Sequence, residues 1–284
     1  MSRFILPAAA LIASASCASV SAPLASWFWK TNMITNSANV SNILAFAEAQ
    51  GLTHVYAQID SSISNADWES FIKKFNASGI IVDALLGNAN WVLDAGDLEA
   101  ELQWIKQYQN TASADSKFTG IHMDVEPWDF ADFTSNEAKY VNGWQSVVDK
   151  IAGVGQVLGM PVAADLPFWC NTINSTTTSQ TMDIWILDRL GSANFMTYRN
   201  TSAGIESLAS PPLQAGEKTG KKVWLGAETG EVAGAAETSF YGQTFEATNG
   251  ALAALAKAES SNAHFAGIAV DDLTSWMVMP GSGY

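Results

Sequence analysis

The chain has 284 residues, of which 48% are hydrophobic, enough apolar mass for one large core. Its 28 acidic residues outnumber 14 basic ones, and the resulting net charge of −14 repels nucleic acid and anionic membrane surfaces, so neither is an expected partner. The same charge favours solubility and tolerates neutral or cationic ligands.

Arg3 supplies a positive start, residues 4–13 a short apolar run, and Ser16-Cys17-Ala18 or Val20-Ser21-Ala22 a small-residue cleavage site. Residues 1–22 are therefore expected to be a secretory signal peptide, and 23–284 a single extracellular domain. No later stretch has 18 consecutive apolar residues, so no membrane-spanning helix is expected. Cys17 would leave with the leader, and Cys170 would remain alone as a small buried thiol. Asn-x-Ser/Thr sequons at Asn39, Asn76, Asn174 and Asn200 suit a glycoprotein.

Short β-rich runs then alternate with amphipathic helical stretches, the signature of βα units around a parallel sheet. A strand over 26–30 leads to a helix over 40–50 that ends at Gly51. A strand over 54–60 leads to a helix over 67–77. The third strand, 79–86, precedes a helix over 98–108 capped by Asp97. The fourth, 118–127, precedes a long helix over 136–158. The fifth, 161–167, runs into a polar loop over 172–180. The sixth, 193–199, is followed by a helix over 204–215, and the seventh, 221–229, by one over 248–259. The eighth, 264–271, completes the set. Eight strands is the number that closes a (β/α)8 (TIM) barrel, and no run carries the charge or proline that blunts an open edge.

In such a barrel, polar residues at the C-terminal strand ends carry function. Here those ends offer Trp29, Asp60, Asp83 or Asn88, Asp124 and Glu126, Asp165, Tyr198 and Arg199, Glu228, and Asp271 with Asp272. Carboxylates crowded at one mouth repel one another, so one can stay protonated while its neighbour ionises. On the fourth strand a period of two puts His122, Asp124 and Glu126 on the inner face and Ile121, Met123 and Val125 on the outer. Trp29, Trp91, Trp128, Phe168, Trp169, Tyr198 and Trp276 fall at or just past strand ends. Aromatic faces there suit the apolar faces of sugar rings. Arg199 either clamps an anionic group or pairs with Asp165 or Glu228. The histidines, His54, His122 and His264, sit on separate strands, and no phosphate-cradling glycine loop occurs, so no metal or cofactor is expected.

The stretch from Thr119 to Trp128 resembles the strand-4 motif D-x-x-D-x-D-x-E of glycoside hydrolase family 18, the chitinases and their relatives. Asp124 and Glu126 match its last two acids, and Thr119 and His122 replace the first two. Met196-Thr197-Tyr198 is similar to that family's M-x-Y. Glu126-Pro127 and Glu228 also resemble the barrel clan with catalytic glutamates after strands 4 and 7. Both resemblances imply a retaining glycoside hydrolase with Glu126 as general acid/base. In the first, Asp124 and Tyr198 hold a substrate N-acetyl group that acts as nucleophile; in the second, Glu228 is the nucleophile. Trp29, Asp60, Trp128, Asp165, Trp169, Arg199, Asp271 and Trp276 are the expected substrate contacts. The substrate would be a polysaccharide or glycoconjugate, and the acidic mouth suits amino sugars. The alternative is a non-catalytic carbohydrate-binding barrel.

Overall fold

The computed structural model describes residues 19–284. Most of the expected leader, with Cys17, lies outside the described residues. Within them eight parallel strands close into a barrel in chain order. They are β1 Leu24–Phe28, β2 Leu52–Gln58, β3 Ile81–Leu86, β4 Ile121–Met123, β5 Val162–Pro167, β6 Ser192–Met196, β7 Val223–Glu228 and β8 Phe265–Asp271. The sequence places every one of these strands, with one marked difference in length. β4 is far shorter than the 118–127 expected. The Asp124 N–H still reaches the Leu86 carbonyl (2.9 Å), but Pro127 has no N–H to continue a ladder and starts a 3-10 turn, Pro127–Asp129.

The crossover helices are α1 Ser37–Gln50, α2 Asn65–Ala77, α3 Gly96–Thr111, α4 Glu137–Leu158, α5 Met182–Leu187, α6 Ser202–Thr219, α7 Phe245–Ala258 and α8 Leu273–Met277. Asn36 caps α1 by accepting the Ala38 and Asn39 N–H groups, and Gly51 ends it in the left-handed region at φ 69°. Asp97 is not the cap of α3. That helix opens at Gly96, and Asp97 sits in its first turn, where a carboxylate still favours the positive end of the helix dipole. α5 and α8 are too short to show a full helical period; Trp185 reads as part of a helical stretch, whereas α8 carries no such sign. Among the described residues no helix is long and apolar enough to cross a membrane. Asn174 is exposed and Asn39 half-buried, whereas the Asn76 and Asn200 amides donate to the Asp115 and Ala236 carbonyls (3.0 and 3.2 Å).

The main core lies between sheet and helices. Ile121, Met123 and Val125 face it from β4 and its extension, as the two-residue period predicts, alongside Trp68, Phe71, Trp144 and Trp185. A second apolar cluster fills the barrel itself: Ala25, Trp27, Tyr56, Leu85, Trp224 and Ala269. Burying each large side chain is worth about 1.5–3 kcal/mol, and these side chains make the barrel interior a packed plug between its upper end and a smaller cavity of about 200 Å³ below, lined by His54, Tyr56, Asp83 and Trp224.

One close approach at that upper end needs a glycine. A Cβ on Gly87 would stand 1.8 Å from the Asp124 carbonyl oxygen, a backbone atom that cannot swing away. Gly87→Ala is therefore expected to lower unfolding stability by about 1–3 kcal/mol, like other overpacked core changes. Gly153, exposed inside α4 with nothing near its position, gives the opposite sign: Gly153→Ala should stabilise by about 0.5–1 kcal/mol. Guanidinium denaturation midpoints of the two variants measure both effects.

Candidate active site

The strand ends surround a cup of about 460 Å³ that contains Asp124, Glu126, Asp165, Glu228 and Asp271, with Trp29, Trp128, Trp169, Tyr198 and Arg199 in its wall. Ten of the twelve predicted site residues therefore meet in one place.

Asp165, on β5, forms the floor. It is 2% exposed and accepts the Trp27 indole N–H (2.9 Å) on one oxygen and meets His122 Nε2 (2.8 Å) with the other. Burial pushes the His122 pKa down to about 3 and that of Asp165 well above the carboxylate range, so the two share a neutral hydrogen bond rather than an ion pair. Tyr56 stacks on the His122 ring at 3.9 Å between centroids and fixes it from below. His122 thus serves Asp165, not Asp124, and both Asp165 oxygens are already engaged by protein. Asp165 therefore braces the floor of the cup, where it was expected to meet substrate, with each oxygen already holding one protein partner.

Asp124 and Glu126 stand just past β4. Their carboxyls share a hydrogen bond, and Glu126 Oε2 also accepts the Trp128 indole N–H (3.0 Å). Burial, then repulsion from Asp129 and Asp165, raises the Glu126 pKa to about 7. Burial raises Asp124 still more firmly, with Asp165, Glu126 and Asp271 adding to it. Asp124 is accordingly the donor in the shared bond and Glu126 the acceptor. Trp128 is held edge-on between Trp144 and Trp169, with centroids at 5.4 and 5.8 Å.

Across the cup, Glu228 ends β7. The Gly230 N–H donates to its Oε1, while the Thr229 N–H donates to the Asp271 carbonyl and ties the ends of β7 and β8 together. Burial and the neighbouring Asp271 nevertheless push its pKa up to about 8. Asp271, at the end of β8, accepts the Trp29 indole N–H (2.9 Å) and the Tyr198 hydroxyl (3.1 Å), and burial lifts it to about 6. Tyr198 is pushed well above its ordinary value by burial and by these carboxylates, and so keeps its proton. Room for its ring depends on Gly226, where a Cβ would lie 2.8 Å from Tyr198 Cε1.

Two predicted residues are elsewhere. Trp276 is fully buried on α8; its ring packs edge-on against Phe46 (5.2 Å) and its N–H donates to Asn249 (3.0 Å), so it belongs to the outer core. It misses the mouth because Asp272 accepts the Thr274 and Ser275 N–H groups and starts a helix there, turning the chain down against the barrel. Asp60 lies in a neighbouring cavity, with one oxygen on the Ser62 N–H (2.8 Å). Arg199 also differs from expectation. It pairs with neither Asp165 nor Glu228; its guanidinium donates to the Tyr198 carbonyl (2.7 Å) and lies 5.8 Å from the centre of the Phe168 ring. Asp83 points into the lower half of the barrel beside Gly120, near the N-terminal strand ends rather than the C-terminal ones that form the cup.

Sequence reasoning missed Trp27, although the two-residue period that placed Trp29 at the mouth puts Trp27 on the same inner face. It also missed Val232, Ala235 and Thr238, which the β7–α7 loop brings to the rim. Residues of those types carry no signal of their own. Cys170 is buried, and burial holds it as an inert thiol.

No family model and no curated protein matches the chain. Among solved structures, a GH113 beta-1,4-mannanase matches with a TM-score of 0.58 at 10% identity, over 89% of this chain and 88% of its own. A GH18 chitinase from Pseudoalteromonas aurantia matches with a TM-score of 0.56 at 13% identity, over 88% of this chain and 94% of its own. The likeness is one of fold: this chain is a (β/α)8 barrel like those of glycoside hydrolases.

The raised carboxyls set a pH dependence of stability. Unfolded, they titrate near 3.8 and 4.5; folded, Asp271, Glu126 and Glu228 titrate near 6, 7 and 8. Between these limits the folded protein holds more protons than the unfolded chain, so this contribution is complete below about pH 4 and is lost as pH rises to 8. The exposed carboxylates Glu99 and Asp115, held below their ordinary values by Lys150 and Lys73, act in the opposite sense only under more acidic conditions. His122 and His54, held neutral by burial, oppose this trend up to their unfolded value near 6.5. The melting temperature should therefore fall from about pH 6.5 to pH 8, and Glu228→Gln should flatten the upper part of that decline. Calorimetric scans across the range would show it; a flat or rising profile contradicts the assignment.

Proposed function

We propose that the protein is a secreted glycoside hydrolase with Glu126 as its general acid/base, acting on a polysaccharide or glycoconjugate that contains N-acetylated amino sugars. The observation that carries this reading is the setting of Glu126. Its carboxyl lies in an aromatic-walled cup, receives hydrogen bonds from Trp128 and Asp124, and is held protonated up to about pH 7. A proton donor with a pKa near the working pH is what cleavage of a glycosidic bond requires. The leader-like residues 1–22, the sequons and the acidic surface support secretion.

The same electrostatics favours substrate assistance over attack by Glu228. At any pH where Glu126 still carries its proton, Glu228, with the higher pKa, carries one too, and a neutral carboxylic acid is a poor nucleophile. In the favoured route Glu126 gives its proton to the leaving glycosidic oxygen. The substrate's own acetamido oxygen bonds to the sugar carbon as the glycosidic bond breaks. Asp124 and Tyr198 hold that acetamido group. Water then opens the cyclic intermediate, and its proton returns to Glu126.

Purified protein should be assayed against chitin, partly deacetylated chitosan and β-1,4-mannan. Glu126→Gln is expected to lower turnover by at least about 10²-fold while preserving ligand binding. Glu228→Gln should lose far less. An equal loss in both variants would move the nucleophile to Glu228. Turnover of the wild type should decline above about pH 7, as Glu126 loses its proton. Undiminished hydrolysis by Glu126→Gln would overturn the assignment, and binding without wild-type turnover would make the protein a lectin-like barrel.

A further inference from the structure

A second cavity of about 460 Å³ opens beside the cup and shares a wall with it, the half-buried ring of Trp29. It sits above the ends of β1 and β2 and is closed on its far side by α3. We propose that this cavity binds a sugar unit further along the same glycan chain whose scissile bond lies over Glu126, which makes the protein an endo-acting enzyme on neutral or amine-bearing polymers. The proposal rests on the hydrolase reading above and adds the direction of the chain and its minimum reach.

The walls have the chemistry for a sugar ring. Trp104, on α3, is half-buried and backed by Tyr108, whose ring stacks on it at 5.3 Å, so its indole is held as a fixed platform. Trp29 is fixed as well, because its N–H is committed to Asp271. Two immobilised aromatics offer apolar area to a ligand without the entropy cost of ordering them. Glu101 lies three residues before Trp104, on the same helix face. Its Oε2 is buried and has no hydrogen-bond partner within the protein. An unpaired buried acceptor is costly, and a ligand hydroxyl or amine would relieve it. Asp60, the predicted sugar contact absent from the cup, lines this cavity too.

The charge narrows the ligand. The cavity presents Asp60 and Glu101 and no Lys or Arg. Burial and the neighbouring Asp97 push the Glu101 pKa up to about 7, so repulsion of uronic or sialic acid units comes from Asp60 and, above that pH, from Glu101 as well, whereas a neutral hexose or an amino sugar is not repelled. None of the groups on the far wall touches the reacting atoms, so this cavity acts on affinity and on where a chain is cut, not on the chemical step.

Oligomers of N-acetylglucosamine, glucosamine and mannose, from disaccharide to hexasaccharide, can be titrated calorimetrically against protein carrying Glu126→Gln, so that none is cleaved. The series that binds should tighten with length. Adding Trp104→Ala should cost about tenfold in affinity for the hexasaccharide and shrink the hexasaccharide-to-disaccharide ratio by a similar factor. Glu101→Gln should shrink that ratio in the same direction, and it serves as the second variant should Trp104→Ala fold poorly. The enzyme without substitutions should release mid-length oligomers early from a polymer. Affinity that is independent of length, a ratio untouched by both variants, or release of only the terminal unit would overturn the second cavity while leaving the hydrolase reading intact. Should no oligomer bind and no polymer be cut, both fall together.

Discussion

The structure turns on the burial of five carboxyls, Asp124, Glu126, Asp165, Glu228 and Asp271, around one small cup. Each has a pKa raised first by desolvation and then by its neighbours. Among the described residues lining the cup, Arg199 is the sole cation, and it lies against a backbone carbonyl and the Phe168 ring rather than a carboxylate. Protonation, not ion pairing, is what relieves the repulsion. The cup is consequently less anionic near neutral pH than its five carboxyls would suggest, and Glu126, raised to about 7, can still hold a proton there.

The barrel supplies the geometry that keeps this arrangement standing. Inward positions two residues apart bring Trp27 and Trp29, or Asp124 and Glu126, to successive levels of one face. The lower member of each pair lies deeper. Trp27 lies within the packed interior and braces Asp165, while Trp29 reaches the open mouth. His122 and Tyr56 complete the brace beneath. The crowding above is tolerable because Gly87 lets the end of β3 pass against the Asp124 backbone and Gly226 leaves space for the Tyr198 ring. A glycine just past β3 and one on β7 thus decide where acidic residues just past β4 and an aromatic residue after β6 can stand.

Much of this was legible from the sequence because strands of a parallel barrel are short apolar runs with a fixed side-chain period. That is why all eight strands, and the inward face of the fourth, could be read directly. Readings failed where the outcome depended on the chain just past a strand. Trp276 follows β8 closely, but a helix cap at Asp272 carries it into the outer core. Asp60 follows β2 as Trp29 follows β1, yet the two face different cavities, a difference of loop path that no period encodes. Arg199 stands in the cup as expected, but of its two readings the pairing with Asp165 or Glu228 is not formed. Their raised pKa values remove that attraction, and formal charges counted from sequence cannot show it.

Asp271 joins the two cavities in a way that only the assembled fold reveals. One of its oxygens accepts the indole N–H of Trp29, the partition between cavities, and the other accepts the Tyr198 hydroxyl within the cup. Its carboxyl also stands among the groups that raise Glu228 and Asp124. The position of the dividing wall and the proton affinity of the cup therefore depend on one side chain at the end of the last strand. A carboxylate suits that place better than an amide, since it can accept from both donors at once and donates to neither. The cost is a further buried acid in a crowded site. The surrounding hydrogen bonds offset that cost only in part, as the raised pKa of Asp271, about 6, records.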